Sequence, residues 1–155
     1  MGREIERKFL LRSDTWRDAV SHSARMVQGY LLRGDTSAVR VRIMGGVAEL
    51  NIKHTLDGIN RLEYEYEIPL SDAREILEHV ALRPMIDKTR HHVSHGGHLW
   101  EIDEFHGDND GLVIAEIELE DADEAFERPD WLGEEVSADL RYYNSNLSRQ
   151  PYSQW

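Results

Sequence analysis

The first strand-like stretch of this chain carries its charge on one face. In an extended backbone, successive side chains point to opposite sides. Three charged residues of the stretch Glu-Ile-Glu-Arg-Lys therefore share a face: Glu4, Glu6 and Lys8. Ile5 and Phe9 lie on the other, largely apolar side. A sheet normally buries its apolar face and leaves the polar one to solvent, so the placement of so dense a charged face constrains the fold.

The same alternation recurs in six later segments, which we interpret as strands: 37–44, 47–55, 59–68, 85–93, 99–105 and 112–119. We call the ionic side of all these strands the charged face. Its carboxylates are Glu4, Glu6, Glu63, Glu65, Glu101, Asp103, Glu116 and Glu118, and its cations are Lys8, Arg40, Arg42, Lys53, Arg61, Lys88 and Arg90. All three lysines of the chain belong to the charged face, which indicates that each is needed at its particular position.

Strands joined by turns such as Gly45-Gly46 predict a mainly antiparallel β fold of the α+β class. We expect a single domain over residues 1–155, built as a tunnel-like β-barrel of about eight strands or as an open cup. Flanking helices are predicted at 15–20, after a cap at Ser71, and in a short segment from Asp121 through Phe126.

Composition excludes several classes of protein. The chain has no cysteine, so disulfides and thiolate metal sites are ruled out. No apolar run reaches the length of a membrane span and no signal peptide is recognisable, so we expect a cytoplasmic protein without a membrane partner. A net charge of −12 argues against nucleic acid as a partner. A homodimer is compatible with the sequence.

The charged face suits a phosphate chain if it lines a cavity. Paired carboxylates are the hard oxygen ligands that Mg²⁺ or Mn²⁺ prefers, and arginine and lysine bind phosphate oxygens. Phosphoryl transfer needs positioning, charge neutralisation and an activated water. A cavity with both signs of charge would reconcile an acidic protein with a polyanionic ligand, a small molecule containing a triphosphate.

The ordered motifs resemble those of the CYTH, or triphosphate tunnel metalloenzyme, superfamily. Residues 4–8 resemble its ExExK signature, which alone would be a weak match. The following segments keep the order and approximate spacing of the superfamily over nearly the whole chain: Arg40-Val-Arg42, Lys53, Arg61-Leu-Glu63-Tyr-Glu65, Lys88-Thr-Arg90, Trp100-Glu-Ile-Asp103 and Glu116-Ile-Glu118. The overall length and residues 139–147 are most similar to its short bacterial members.

The resemblance implies an antiparallel barrel that hydrolyses triphosphates with a divalent metal ion. It implies metal ligands at Glu4, Glu6, Glu116 and Glu118. It implies phosphate binding by Lys8, Arg40, Arg42, Lys53, Arg61, Lys88 and Arg90. Among these, Lys8 and Lys88 are expected to act on the leaving or attacked phosphorus. Glu63, Glu65, Glu101 and Asp103 are candidates to support a metal or to orient water.

Inorganic tripolyphosphate is the expected substrate, and other functions stay open at this point. A class IV-type adenylate cyclase, or a thiamine or nucleoside triphosphatase, could use the same cavity. A polyphosphate-binding module without turnover would gain little from the carboxylates. A structural lattice of salt bridges is disfavoured because buried ion pairs rarely repay their desolvation. The histidines at 91, 92, 95 and 98 are interpreted as surface residues of a hairpin.

Overall fold

The computed structural model describes residues 2–155, and within them the chain forms nine strands. The strands are β1 (Gly2–Leu11), β2 (Val20–Arg33), β3 (Ser37–Met44), β4 (Val47–Asp57), β5 (Asn60–Ile68), β6 (Ile86–His95), β7 (His98–Phe105), β8 (Val113–Leu119) and β9 (Leu132–Glu135). The helices are α1 (Leu70–His79) and α2 (Asn144–Leu147), with short 3₁₀ segments at Thr15–Ala19, Gly107–Asn109, Leu140–Tyr142 and Tyr152–Gln154. None of the helices described here combines the length and apolar character needed to cross a membrane.

Eight of the strands close into an antiparallel barrel in the order β1-β5-β4-β3-β2-β6-β7-β8, with β8 returning to β1. Closure depends on β1, because its first half pairs with β5 and its second half pairs with β8. Gly2 lies opposite Glu63, and Leu10 lies opposite Ile114. The predicted antiparallel barrel is confirmed, and it is closed rather than an open cup.

The strand register places the charged face inside this barrel. Residues directly opposite each other in an antiparallel pair share a face. The register aligns charged residues with one another: Lys8 with Glu116, Glu6 with Glu118, Lys53 with Glu63, and Arg90 with Asp103. The alternation predicted from the sequence therefore becomes one continuous ionic lining.

Apolar clusters cover the outside of the barrel and fill one end of its interior. The outer side of β1, β6, β7 and β8 carries Ile5, Phe9, Val93, Trp100, Ile102, Ala115, Ile117 and Leu119, which pack with Trp16, Trp131 and Leu132. Helix α1 packs on β3 and β4 through Val41, Ala48, Ala73 and Leu77. At one end, interior positions are apolar and pack against Leu147 of α2: Tyr30, Ile86, Phe105, Leu112 and Ile114.

Several local predictions were wrong. Helix α1 begins at Leu70 after Pro69, so Ser71 is not its cap. No helix forms between Asp121 and Phe126, where the ring of Phe126 instead joins an aromatic cluster with Trp100. The mostly polar residues 20–25 at the start of β2 and the short β9 have no strand-like alternation and were not predicted. Pairing with neighbouring strands makes both of them extended.

Candidate active site

The barrel contains a cavity of about 980 Å³, and nearly all of the charged face lines it, together with residues of the β2–β3 turn and of the C-terminal segment. The predicted metal, phosphate and catalytic residues all line it except Asp103. Strand alternation explains this convergence, since each of these side chains occupies an inward position of its strand. The structure therefore brings together residues that are far apart in the sequence.

One wall of the cavity is formed by β1 and β8, and we call it the carboxylate wall. Its acids are Glu4, Glu6, Glu116 and Glu118. Burial and the neighbouring Glu6 carboxylate raise the pKa of Glu116 to about 7. The same two causes raise the pKa of Glu118, and burial raises the pKa of Glu4. Crowded carboxylates with raised pKa values favour the approach of a cation.

Cations of the chain already bind this carboxylate wall, and two of them meet at Glu6. Lys8 Nζ donates to Glu6 Oε1 at 3.0 Å and also contacts Glu116. Arg61 Nη2 donates to Glu6 Oε1 at 2.8 Å. Burial would raise the pKa of Glu6, but Lys8 and Arg61 outweigh it and hold that pKa well below its usual range. Glu6 is thus the anion at the centre of the wall.

A second ionic network is centred on Asp103, beneath the cavity surface. Its Oδ2 accepts from Lys88 Nζ at 2.7 Å, and Arg90 donates to both of its oxygens at 2.8 and 2.9 Å. Arg90 also donates to Glu116 at 2.8 Å and to Glu101 at 3.1 Å. Asp103 is 1% exposed and does not line the cavity, whereas its partners Lys88 and Arg90 do. Its contacts therefore fix the positions of these two cations. This geometry favours a positioning role over contact with a substrate.

The wall formed by β3 and β4 carries cations with weaker partners. Arg40 donates to Asn51 Oδ1 at 3.1 Å and forms no ion pair with any carboxylate in residues 2–155. Arg42 lies 3.4 Å from Glu49 and 3.9 Å from Glu65, whose side chain is 46% exposed at the cavity rim. This wall offers positive charge that is not fully neutralised.

Lys53 is the third cation of this wall, and its pKa is shifted strongly. Its Nζ lies 3.4 Å from Glu63 and 3.9 Å from Glu4. Burial, followed by the nearby Arg40, lowers the pKa of Lys53 to about 7. An anion beside Lys53 would restore its charge, so this wall favours an anionic ligand.

Sequence reasoning missed the contribution of the C-terminal segment to the cavity. The ring centroid of Tyr143 lies 5.0 Å from Lys8 Nζ and 5.6 Å from Arg61 Cζ, a cation–π arrangement. Asn144 accepts a hydrogen bond from Lys88 Nζ at 2.9 Å. The pattern of this segment is neither helical nor alternating, so periodicity does not point to these residues. The resemblance of residues 139–147 to short bacterial members of the superfamily is the one sequence signal for them.

The carboxylate wall fits a divalent metal ion by its chemistry. Glu4, Glu6, Glu116 and Glu118 supply hard oxygens from two neighbouring strands. A bound cation would offset the mutual repulsion and the cost of burying charge that raise the pKa values of Glu4, Glu116 and Glu118. Within residues 2–155, no three acidic or histidine side chains already converge as ligands. The fit therefore depends on the donor set and its excess negative charge.

Comparison with known proteins assigns the family. The family model described as CYTH domain matches residues 2–152. The chain belongs to the CYTH domain family. This CYTH domain is 47% identical over 152 residues to the inorganic triphosphatase of Acetivibrio thermocellus, covering 98% of this chain and 97% of that protein. It is 37% identical over 149 residues to the inorganic triphosphatase of Nitrosomonas europaea, covering 94% of this chain and 96% of that protein.

The barrel of this CYTH domain is similar to an experimentally solved one. The crystal structure of the inorganic triphosphatase NE1496 superimposes with a TM-score of 0.70 and 33% sequence identity. The match covers 96% of this chain and 95% of that one. A match of this extent shows that the two chains share the fold.

Proposed function

We propose that this CYTH domain is an inorganic triphosphatase, which hydrolyses tripolyphosphate to pyrophosphate and phosphate. The observation that carries the proposal is one cavity that holds both a carboxylate wall and cations, such as Arg40, whose charge no nearby carboxylate fully neutralises. The two relatives named as inorganic triphosphatases support the same reaction.

The cations of the cavity would hold the phosphate chain. Arg40, Arg42 and Lys53 would bind its oxygens from one side. Arg40 has no carboxylate partner among the described residues, and the nearest carboxylate oxygens of Arg42 and Lys53 lie 3.4 Å away. Arg61 and Arg90 would bind from the neighbouring strands, although each is already paired with acids. Guanidinium groups suit this role because they present several donors in a fixed plane.

The carboxylate wall would hold Mg²⁺ or Mn²⁺ through Glu4, Glu6, Glu116 and Glu118. When bound, such an ion neutralises phosphate charge and lowers the pKa of a bound water. A metal ion that binds a protonated carboxyl group displaces its proton to solvent. Glu116 suits such a site, since burial and Glu6 raise its pKa to about 7.

Lysines and acids of the chain supply the remaining steps. Lys8 and Lys88 reach the cavity and are positioned to stabilise charge on the attacked or leaving phosphoryl group. Glu63 and Glu65 line the cavity and would accept a hydrogen bond from the attacking water. Asp103 would hold Lys88 and Arg90 in position. A cytoplasmic location, a homodimer and the lack of a nucleic-acid partner stay predictions.

Phosphate release from tripolyphosphate with Mg²⁺ or Mn²⁺ tests this function. Activity should be lost in Glu6→Ala and in Lys8→Ala, and activity that survives both changes contradicts the mechanism. ATP is incubated in parallel, because formation of cyclic AMP would identify a cyclase instead. Tight binding of tripolyphosphate with no product after long incubation would identify a binding module.

A further inference from the structure

The side-chain amide of Asn144 lies at the cavity wall beside Lys88. Its Oδ1 accepts hydrogen bonds from Lys88 Nζ at 2.9 Å and from Gln28 Nε2 at 2.9 Å. Gln28 is fully buried and Lys88 is 2% exposed, so both donors are held firmly. The amide is half-buried and lines the cavity, and the proposed catalytic set does not use it.

The Lys88 ammonium decides which way this amide faces. If the amide were reversed, its Nδ2 hydrogens would point at the ammonium hydrogens, and donors would face donors. The carbonyl therefore faces Lys88, and Nδ2 lies on the opposite side of the group. Among the described residues, Nδ2 has no hydrogen-bond acceptor, and a wall position gives it access to a ligand.

Lys88 has a free donor next to this amide. An ammonium group has three N–H donors. One donates to Asp103 Oδ2 at 2.7 Å and another to Asn144 Oδ1 at 2.9 Å. The third has no acceptor in the part of the chain that the structure describes, and Lys88 lines the cavity. Two unused donors, one charged and one neutral, thus belong to two hydrogen-bonded side chains that both line the cavity.

We propose that Asn144 is a substrate-binding residue of the triphosphatase. Its carbonyl orients the Lys88 ammonium, and its Nδ2 donates to an oxygen of the same phosphoryl group that Lys88 binds. This inference rests on the proposed function. A neutral amide suits the position because it can accept from a lysine and donate to a phosphate at once, which neither a carboxylate nor a second ammonium can do.

The isosteric change Asn144→Asp tests the Nδ2 donor separately from the Oδ1 acceptor. An aspartate keeps an oxygen that accepts from Lys88 and Gln28, but it replaces the Nδ2 donor with a second oxygen. We expect Tm to be unchanged or higher, because Lys88 gains an ion pair. Affinity for metal-free tripolyphosphate, measured by calorimetry, should fall by about 10- to 100-fold, as for the loss of a hydrogen bond to a charged group.

Two further variants control for charge and for folding. Ser145→Asp places the same charge on the next residue of the cavity wall, where it should weaken binding less. Asn144→Ala removes the donor without adding charge and should raise KM for tripolyphosphate while also lowering kcat, because Lys88 loses its orienting acceptor. Equal affinities of Asn144→Asp and Ser145→Asp, or wild-type affinity in Asn144→Ala, would overturn the proposal.

The calorimetric experiment needs no turnover, so its outcome is separable from that of the proposed function. A wild-type protein that binds tripolyphosphate but releases no phosphate contradicts the function alone. Wild-type protein that hydrolyses tripolyphosphate normally, with binding insensitive to the Asn144 changes, contradicts the Asn144 inference alone.

Discussion

Replacing Asp103 with asparagine should destabilise the barrel through its charge alone. The variant keeps the shape of the side chain but removes the anion between Lys88 and Arg90. Arg90 would still have Glu116 and Glu101 as partners. Lys88 would retain only neutral acceptors, the oxygen of Asn144 and the single amide oxygen at position 103, which Arg90 also approaches. The damage should therefore fall mainly on one fully buried ammonium group.

The expected magnitude follows from that count of partners. Removing one member of a buried ion pair costs about 3–5 kcal/mol in the free energy of unfolding. Because Arg90 keeps two carboxylates, we expect the lower end, about 3 kcal/mol. For a chain of this size, each 1 kcal/mol lowers Tm by about 2–4 °C, so Tm should fall by about 6–12 °C.

Calorimetric unfolding at pH 7 without metal measures this loss. The matched control is Asp87→Asn, which breaks the bidentate pair with exposed Arg25 and should change Tm little, since solvent screens that pair. Tripolyphosphate at about 100 times its Kd should raise the free energy of unfolding of Asp103→Asn by about 2.7 kcal/mol, which is most of the loss. Equal Tm values for the two variants would refute the reasoning.

The pH dependence of the same variant has a definite sign. Arg90 and Lys88 outweigh burial and lower the pKa of Asp103 in the folded state. A carboxyl group of this kind stabilises the fold above its unfolded pKa, about 3.9, and loses that contribution as pH falls towards the folded value. The difference in Tm between wild type and Asp103→Asn should therefore shrink below about pH 4.

Three further predictions follow from individual side chains. Arg40→Gln should raise KM for tripolyphosphate by about 10-fold or more while leaving Tm unchanged or higher, because it removes a buried cation that has no ion pair in the described chain. Affinity for metal-free tripolyphosphate should fall as pH rises above about 7, because Lys53, with a pKa of about 7, loses its charge there. In calorimetric titrations Lys53→Arg should flatten this pH dependence. The same pH dependence in Lys53→Arg and wild type would contradict the role of Lys53. Gly29→Ala should destabilise the fold by about 1–3 kcal/mol in denaturant unfolding, because the new Cβ would lie 2.7 Å from the Cβ of Ala81. Gly46→Ala, where a Cβ meets nothing within 4 Å, is the control, and equal stabilities would count against this packing argument.

The sequence alone determined which side chains share a face. Alternation in strands is a local property with a period of two residues, so the charged face could be read from each strand separately. Nearly all of its members line one cavity, as the charge pattern and the family resemblance together predicted. The fold class followed for the same reason, since short turns between alternating strands favour antiparallel pairing.

The tertiary structure alone decided how the charges are distributed within the cavity. Whether β1 would close the barrel, which lysine would meet which acid, and that Asp103 would lie beneath the surface all depend on register between strands distant in sequence. The place of Asn144 beside Lys88 depends on how the C-terminal segment packs at one end of the barrel. A local pattern carries no information on such contacts, because burial and partner choice arise only when all strands are assembled.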